Sequence, residues 1–243
     1  MIYLPYCPKC GVEADEGENY CPACGQRLSE GGDRRVRRLS DRRAVDHLSL
    51  GFNLAMARPM VFAPALLGGI IFIVIDNFGG GTGPSSSTPI LFFVSIVSIV
   101  GSIITFVLNF ATIDMARDAY VDEPLDLRRS FNYALSRIGT FFIASIVAAL
   151  LSLTIVLIPM AILMVVIIVM DETGIMDAIS KAFGVFTKDL GDVIIVFVAA
   201  IVGNTLLGWA PLVGGLLIAC YGVVLDLAFI DIYHHYKKEY LAF

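Results

Sequence analysis

Apolar and polar positions separate along this chain into long blocks. Residues 59–75, 90–113, 138–170 and 193–225 contain no charged side chain, and all seventeen Lys and Arg residues lie outside them. About 20 apolar residues in a helix cross a hydrocarbon core of about 30 Å, so every one of these runs predicts membrane-crossing structure. Between the first two lies the polar turn 76–89, which includes Gly79-Gly80-Gly81 and Ser85-Ser86-Ser87 but no Lys or Arg. That turn is expected outside, and the arginines before Pro59 and after Ile113 inside.

The third and fourth runs are 33 residues each, too long for one ordinary crossing. As single tilted helices they give four spans; as hairpins they give six. Six is favoured because each run is interrupted near its middle, by Pro159 in one and by Gly203-Asn204, Gly208 and Trp209-Ala210-Pro211 in the other. Proline removes a helix donor, and tryptophan prefers the membrane interface. Legs of about 16 residues need help from flanking residues or a locally thinned bilayer.

Three segments that precede the hairpins resemble one another. Leu48, Phe52 and Arg58 align with Leu127, Phe131 and Arg137, and more loosely with Ile179, Phe183 and Lys188. Positions i and i+4 share a helix face, so each segment is expected to lie as an interfacial elbow with an apolar edge toward the bilayer. The expected fold is an all-α polytopic membrane domain over residues 45–240, about six transmembrane helices in three units of interfacial helix plus hairpin. The unit bounds are approximately 45–113, 124–170 and 174–228. Both termini are expected in the cytoplasm of a multi-pass plasma-membrane protein.

Before this domain, Cys7-Pro8-Lys9-Cys10-Gly11 and Cys21-Pro22-Ala23-Cys24-Gly25 repeat one knuckle, with ten residues between Cys10 and Cys21. Two such knuckles wrap one tetrahedral Zn²⁺ through four thiolates. Iron, reactive thiols and disulfides are the alternatives, and a cytosolic placement argues against disulfides. With all four positions filled by sulfur the ion is structural, and it must drive the folding of so short a segment. These residues, together with Gln26-Arg27-Leu28, resemble the short zinc-ribbon module at the N-termini of many prokaryotic, notably archaeal, membrane proteins. The resemblance implies one zinc held by residues 1–28 and contact with a protein partner. Nucleic acid is not expected, because Lys9 and Arg27 face Glu13, Asp15, Glu16 and Glu18. Residues 29–44 form a flexible basic linker in which Arg34, Arg35, Arg37, Arg38, Arg42 and Arg43 are placed to meet anionic headgroups.

The layout of the membrane domain resembles a loosely related prokaryotic six-span group that includes the membrane domain preceding some glycerophosphodiester phosphodiesterases. The features concerned are residues 53–64, Leu157-Ile158-Pro159, residues 171–180 and residues 228–237. No stretch of this sequence corresponds to the catalytic phosphodiesterase domain.

Ser95, Ser98, Ser102, Thr105 and Asn109 are spaced 3, 4, 3 and 4 and fall on one helix stripe. Close packing is the commoner use of such a stripe, and a solute or lipid path the alternative. Asp226, next after the run 193–225, is the one acid expected well within a span, one to two turns from its cytoplasmic end, and the simplest expectation for it is a partner such as Arg58 or Arg137, or exposure at a helix end. A proton or cation site is the functional alternative. Asp231, His235 and Glu239, at i, i+4 and i+8, read first as exposed juxtamembrane residues and second as a metal face. No nucleophile elbow, phosphate loop or His-Glu-x-x-His occurs, so no enzyme is expected. The favoured function is a non-catalytic membrane protein whose zinc ribbon docks a partner; the alternative is a small-solute or lipid transporter or channel using the span-2 stripe and Asp226. Metal analysis of the full chain should give one zinc, and a Cys10→Ser/Cys24→Ser double variant should give none; retention of stoichiometric zinc would refute the four-thiolate site.

Overall fold

The computed structural model describes residues 44–80, 88–210 and 213–240, with the backbone alone at 76–80, 88–94 and 239. All belong to the second of the two units into which the chain divides, Arg43–Phe243. The described residues are helical: α1 (Ala44–Ala57), α2 (Ala63–Gly80), α3 (Thr88–Tyr120), α4 (Leu127–Ser136), α5 (Ile138–Leu151), α6 (Ile158–Asp171), α7 (Ile175–Lys188), α8 (Leu190–Gly208) and α9 (Gly214–Tyr240). The order is a short helix followed by two apolar helices, three times over.

Local chemistry sets the boundaries. Arg58 precedes Pro59, which disfavours helix at the preceding residue, and the chain turns through 99° between α1 and α2. Asp126 caps α4, its side chain accepting from the amides of Arg128 and Arg129 at 2.9 and 3.3 Å. The α4–α5 corner bends by 74°. Glu172, in the left-handed region at φ 53°, ends α6. Pro159 sits in the first turn of α6, where its missing donor costs nothing.

Each elbow seats through small residues. Gly51 and Ala55 of α1, Ser130 and Ala134 of α4, and Ala178 and Ala182 of α7 are buried. Of the aligned phenylalanines, Phe52 and Phe183 face outward at 51% and 57% exposure, whereas Phe131 is half-buried and packs against the core. That arrangement suits an apolar edge laid against lipid.

The elbows are also gripped electrostatically. Asp118 of α3, fully buried, pairs with Arg129 of α4. Asp171 of α6 accepts from Lys181 of α7 at 2.8 Å. Asp231 of α9 accepts from His47 of α1 at 2.6 Å. In each case a carboxylate near the end of a unit's last helix holds a basic residue on the following elbow, and the third contact returns to the first elbow. The chain of pairings closes on itself.

The core lies at the elbow end, where Phe110 and Met115 of α3, Met164 and Ile167 of α6, and Phe229 and Tyr233 of α9 are buried. Phe110 stacks on Phe141 of α5 with centroids 4.1 Å apart. Further along the bundle the apolar side chains point outward, as in Phe72, Ile99 and Leu206, the pattern of a protein whose solvent there is lipid.

Both 33-residue runs are helix pairs, with breaks at residues 152–157 and 209–213, so neither is a single tilted helix. The full set of six crossings is not reached. Among the described residues three helices are long and apolar enough to cross a membrane, Ser95–Tyr120, Leu190–Gly208 and Gly214–Lys238, or up to five if each bent pair is one span. The helices outside the three are α2 and α5, which enter only as parts of the bent pairs, and α6; α5 and α6 are 14 residues each, which at 1.5 Å per residue reach about 21 Å. The tip joining them is apolar and exposed at Leu153, Ile155 and Val156, and its amides bond internally, Ser152 to Ala148, Leu153 to Leu150 and Thr154 to Leu151. Such a tip tolerates hydrocarbon. The α8–α9 hairpin is longer and carries exposed Trp209 at its tip, a residue suited to the interface.

A methyl group on Gly51 would stand 2.6 Å from the Val224 carbonyl and 3.2 Å from the Ala228 amide, both backbone atoms of α9. At Gly191 it would meet nothing within 4 Å. Gly51→Ala should therefore destabilise the membrane domain by about 1–3 kcal/mol, read as a lower melting temperature in detergent, while Gly191→Ala should not lower it. Equal melting temperatures for wild type and Gly51→Ala would show that α1 is not seated on α9.

Candidate functional site

Three helices, α2, α3 and α9, enclose a cleft of about 480 Å³. Its walls are low because the facing residues are small: Gly68 and Gly69 on α2, and Gly215, Ala219 and Gly222 on α9. Gly222 has no neighbour within 4 Å of where a Cβ would stand, so its missing side chain leaves the space open. One turn further along α9, at i+4 from Gly222 and hence on the same face, Asp226 lines the cleft. Its polar neighbours come from α3: Thr105, Asn109 and Thr112, at i, i+4 and i+7.

Asp226 is half-buried, and among the described residues no ion pair or hydrogen bond reaches its carboxylate. The expected arginine partners are engaged elsewhere. Arg58 pairs with Asp122 and donates to the Glu123 carbonyl at 3.0 Å. Arg137 donates to the Glu172 carbonyl at 3.1 Å and to the Tyr133 hydroxyl at 3.2 Å. No Lys, Arg or His is among the cleft residues. A lone carboxylate in a mostly apolar cleft attracts a cation or a hydrogen-bond donor and repels an anion.

The polar stripe read from the sequence is divided by the packing. Thr105 and Asn109 face the Asp226 cleft. Ser102 instead lines a separate groove of about 620 Å³ between α3 and α5, beside Phe106, Gly139 and Ser145, and its hydroxyl donates to the Ser98 carbonyl at 2.7 Å. Ser95 and Ser98 line neither space. Three residues advance a helix by about 300° and seven by about 700°, so Thr105 points about 60° from Ser102 but Asn109 only about 20°; rotation parts Thr105 from Ser102, and Asn109 reaches the cleft from two turns further along α3. Thr112 was not singled out from the sequence, although it lies seven residues beyond Thr105; its hydroxyl donates to the Leu108 carbonyl at 2.8 Å.

The elbow end holds the buried charges. Asp231 is 1% exposed and joins His47 of α1, the hydroxyl of Tyr120 at 2.7 Å and, through Tyr120, His234 at 3.1 Å. His235 is 8% exposed and stands edge-on to the His47 ring with centroids 6.2 Å apart. Asp192 of α8 lies 4.0 Å from His47 on the other side. The expectation of exposed juxtamembrane residues at Asp231 and His235 is thus corrected: α1 covers them, because Gly51 lets it approach α9. The side chain of Glu239 is outside the described set, and among the described residues no three His, Cys, Asp or Glu are arranged to hold a metal ion. Arg117 forms a second hub, 2.8 Å from Asp114 and 3.4 Å from Glu172.

Asp171 is the third hub, accepting from Lys181 at 2.8 Å, from Lys237 at 2.7 Å and from the Tyr233 hydroxyl. Burial alone would raise its carboxyl, but the hydrogen bonds from Lys181, Lys237 and Tyr233 outweigh that and hold it below the ordinary carboxylate range. Burial alone would likewise lower Lys181, yet its bonds to Asp171 and Asp177 hold it above the ordinary lysine range.

Cys7, Cys10, Cys21 and Cys24 and the linker residues Arg34, Arg35, Arg37, Arg38, Arg42 and Arg43 lie outside the described residues. Residues 6–28 match a family described as a zinc-ribbon domain, which implies zinc binding at the N-terminus. Comparison with curated proteins and with solved structures gives no match. The family match spans the ribbon alone, and none of these comparisons shows the expected likeness of the membrane domain to that of glycerophosphodiester phosphodiesterases.

A carboxylate whose pKa is lower folded than unfolded contributes stability that is complete above its unfolded value and lost as pH falls. Asp171→Asn should therefore lower stability at neutral pH by about 1–3 kcal/mol, and the gap to wild type should narrow below about pH 4. Thermal melts from pH 7 to pH 3 check this; coincident melting temperatures at pH 7 would remove Asp171 as a clamp.

Proposed function

We propose that this chain is a non-catalytic integral membrane protein that binds and moves a small solute or lipid through the Asp226 cleft. Its N-terminal zinc ribbon serves in the cytosol as a docking module for a partner or another subunit. One observation carries the transport reading over pure scaffolding: Asp226 faces a cleft between helices instead of Arg58 or Arg137. A carboxylate kept beside hydrocarbon with no internal partner is unfavourable unless something else fills the role.

The orientation follows from the Lys/Arg asymmetry, with both termini cytoplasmic in the plasma membrane and the 76–89 turn outside. In the ribbon, Cys7, Cys10, Cys21 and Cys24 hold one structural zinc, supported by the four-thiolate spacing and the family match. The linker arginines rest against anionic headgroups. The excess of acidic over basic residues in the ribbon sequence supports a role in protein contacts.

Liposomes containing the full-length protein test the transport reading with three probes: H⁺ followed by a trapped pH dye, radiolabelled Rb⁺, and a fluorescent alkylamine. At least one should cross faster than in protein-free liposomes, fall to the protein-free rate in Asp226→Asn, and keep its rate in Ser102→Ala, which lines the other groove. A protein-free rate for all three, or unchanged flux in Asp226→Asn, would remove transport through this cleft and leave docking by the ribbon.

A further inference from the structure

The shape of the cleft says more about its occupant than the carboxylate alone. From Asp226 the open face runs back along α9 through Gly222 and Ala219 to Gly215, eleven residues or about 16 Å, the length scale of a dodecyl chain. Asp226 is the one charged residue of the lining and stands at one end of this face, while the polar side chains of α3, Thr105, Asn109 and Thr112, spread over about 10 Å of the facing helix. At the other end the lining is Gly69, Phe72, Ile218 and Gly215. Phe72 is 61% exposed and Asn109 is also exposed, so the cleft opens along the helix faces, the direction from which a membrane-dissolved molecule would arrive.

The charge balance narrows the ligand class. One carboxylate with no basic residue in the cleft disfavours phosphate, sulfate and carboxylate ligands. A divalent ion is poorly served as well, since Ca²⁺ needs six to eight oxygens and the oxygen-bearing side chains here are those of Asp226, Asn109, Thr105 and Thr112. A small hydrated cation would leave the long apolar part of the space unfilled. We infer that the cleft binds an amphipathic monocation, its ammonium-type head against Asp226 and its apolar body along the Gly222 to Gly215 face of α9. This rests on the reading of Asp226 as the binding carboxylate and adds the class of molecule it holds.

Carbodiimide modification of Asp226, followed by mass spectrometry on the full-length protein in lipid nanodiscs, tests the idea by occupancy and not by transport. The dicyclohexyl reagent is lipid-soluble and should label Asp226. Dodecyltrimethylammonium, which cannot itself couple to the activated carboxyl, should slow that labelling about tenfold when present at ten times its Kd, whereas dodecanol and laurate at the same membrane loading should not. Gly222→Leu grows a side chain into open space, so it should keep the wild-type melting temperature and lose the protection; Ser102→Ala should keep it. Labelling slowed equally by all three amphiphiles, by none, or still slowed in Gly222→Leu would overturn the monocation assignment while leaving Asp226 as an accessible carboxylate. Failure of Asp226 to label at all would overturn both the assignment and the transport reading beneath it.

Discussion

A carboxylate near hydrocarbon must be paired, and this structure is organised around satisfying three of them. Asp118, Asp171 and Asp231 each come from the last helix of a unit, and each holds a basic group on an elbow: Arg129, Lys181 and His47. Removing one partner of a buried pair is strongly destabilising because the other charge is stranded. The elbows α4 and α7 are therefore fixed in place by the hairpin that precedes each, and α1 by the last hairpin, and the small residues Gly51, Ser130 and Ala182 let them approach closely. On α1 the clamp at His47 adds to the close packing of Gly51 against the backbone of α9.

Asp226 stands apart from this arrangement. It is five residues before Asp231 on the same helix, yet α1 covers Asp231 while the cleft between α2, α3 and α9 is left open beside Asp226. Gly222 leaves the space open, with nothing within 4 Å of where a Cβ would stand, whereas a Cβ on Gly69 would stand 3.1 Å from Leu216 of α9. The same residue type that permits close helix contact at Gly51 leaves a void at Gly222, because what decides the outcome is whether a neighbouring backbone stands opposite.

Helix length is the second constraint. α3 and α9 are long enough to carry their polar ends beyond a hydrocarbon core, whereas α5 and α6 stop after about four turns each. The apolar, internally bonded tip at residues 152–157 is the chemistry of a turn that need not reach water, and Trp209 at the other tip is the chemistry of one that does. The middle unit thus differs from its neighbours in depth although it repeats their order of helices.

Much of this was determined by the sequence itself. Charge-free runs marked where apolar helices lie, Pro159 and the Gly-Trp-Pro cluster marked the breaks, and the Leu-Phe-Arg spacing marked the elbows, because these are local properties of backbone and side chain. The paired cysteines specified the zinc ribbon in the same way. Tertiary structure alone decided the rest. The 184-residue separation of His47 from Asp231 carries no local signal, so the burial of Asp231 and His235 could not be read from the i, i+4 pattern. Helix rotation of about 60° parted Thr105 from Ser102, and two further turns of α3 brought Asn109 to the Asp226 cleft while Ser102 lines the other groove. The fate of Asp226 itself depended on which side chains its neighbours lack, a property that exists only once three helices have been brought together.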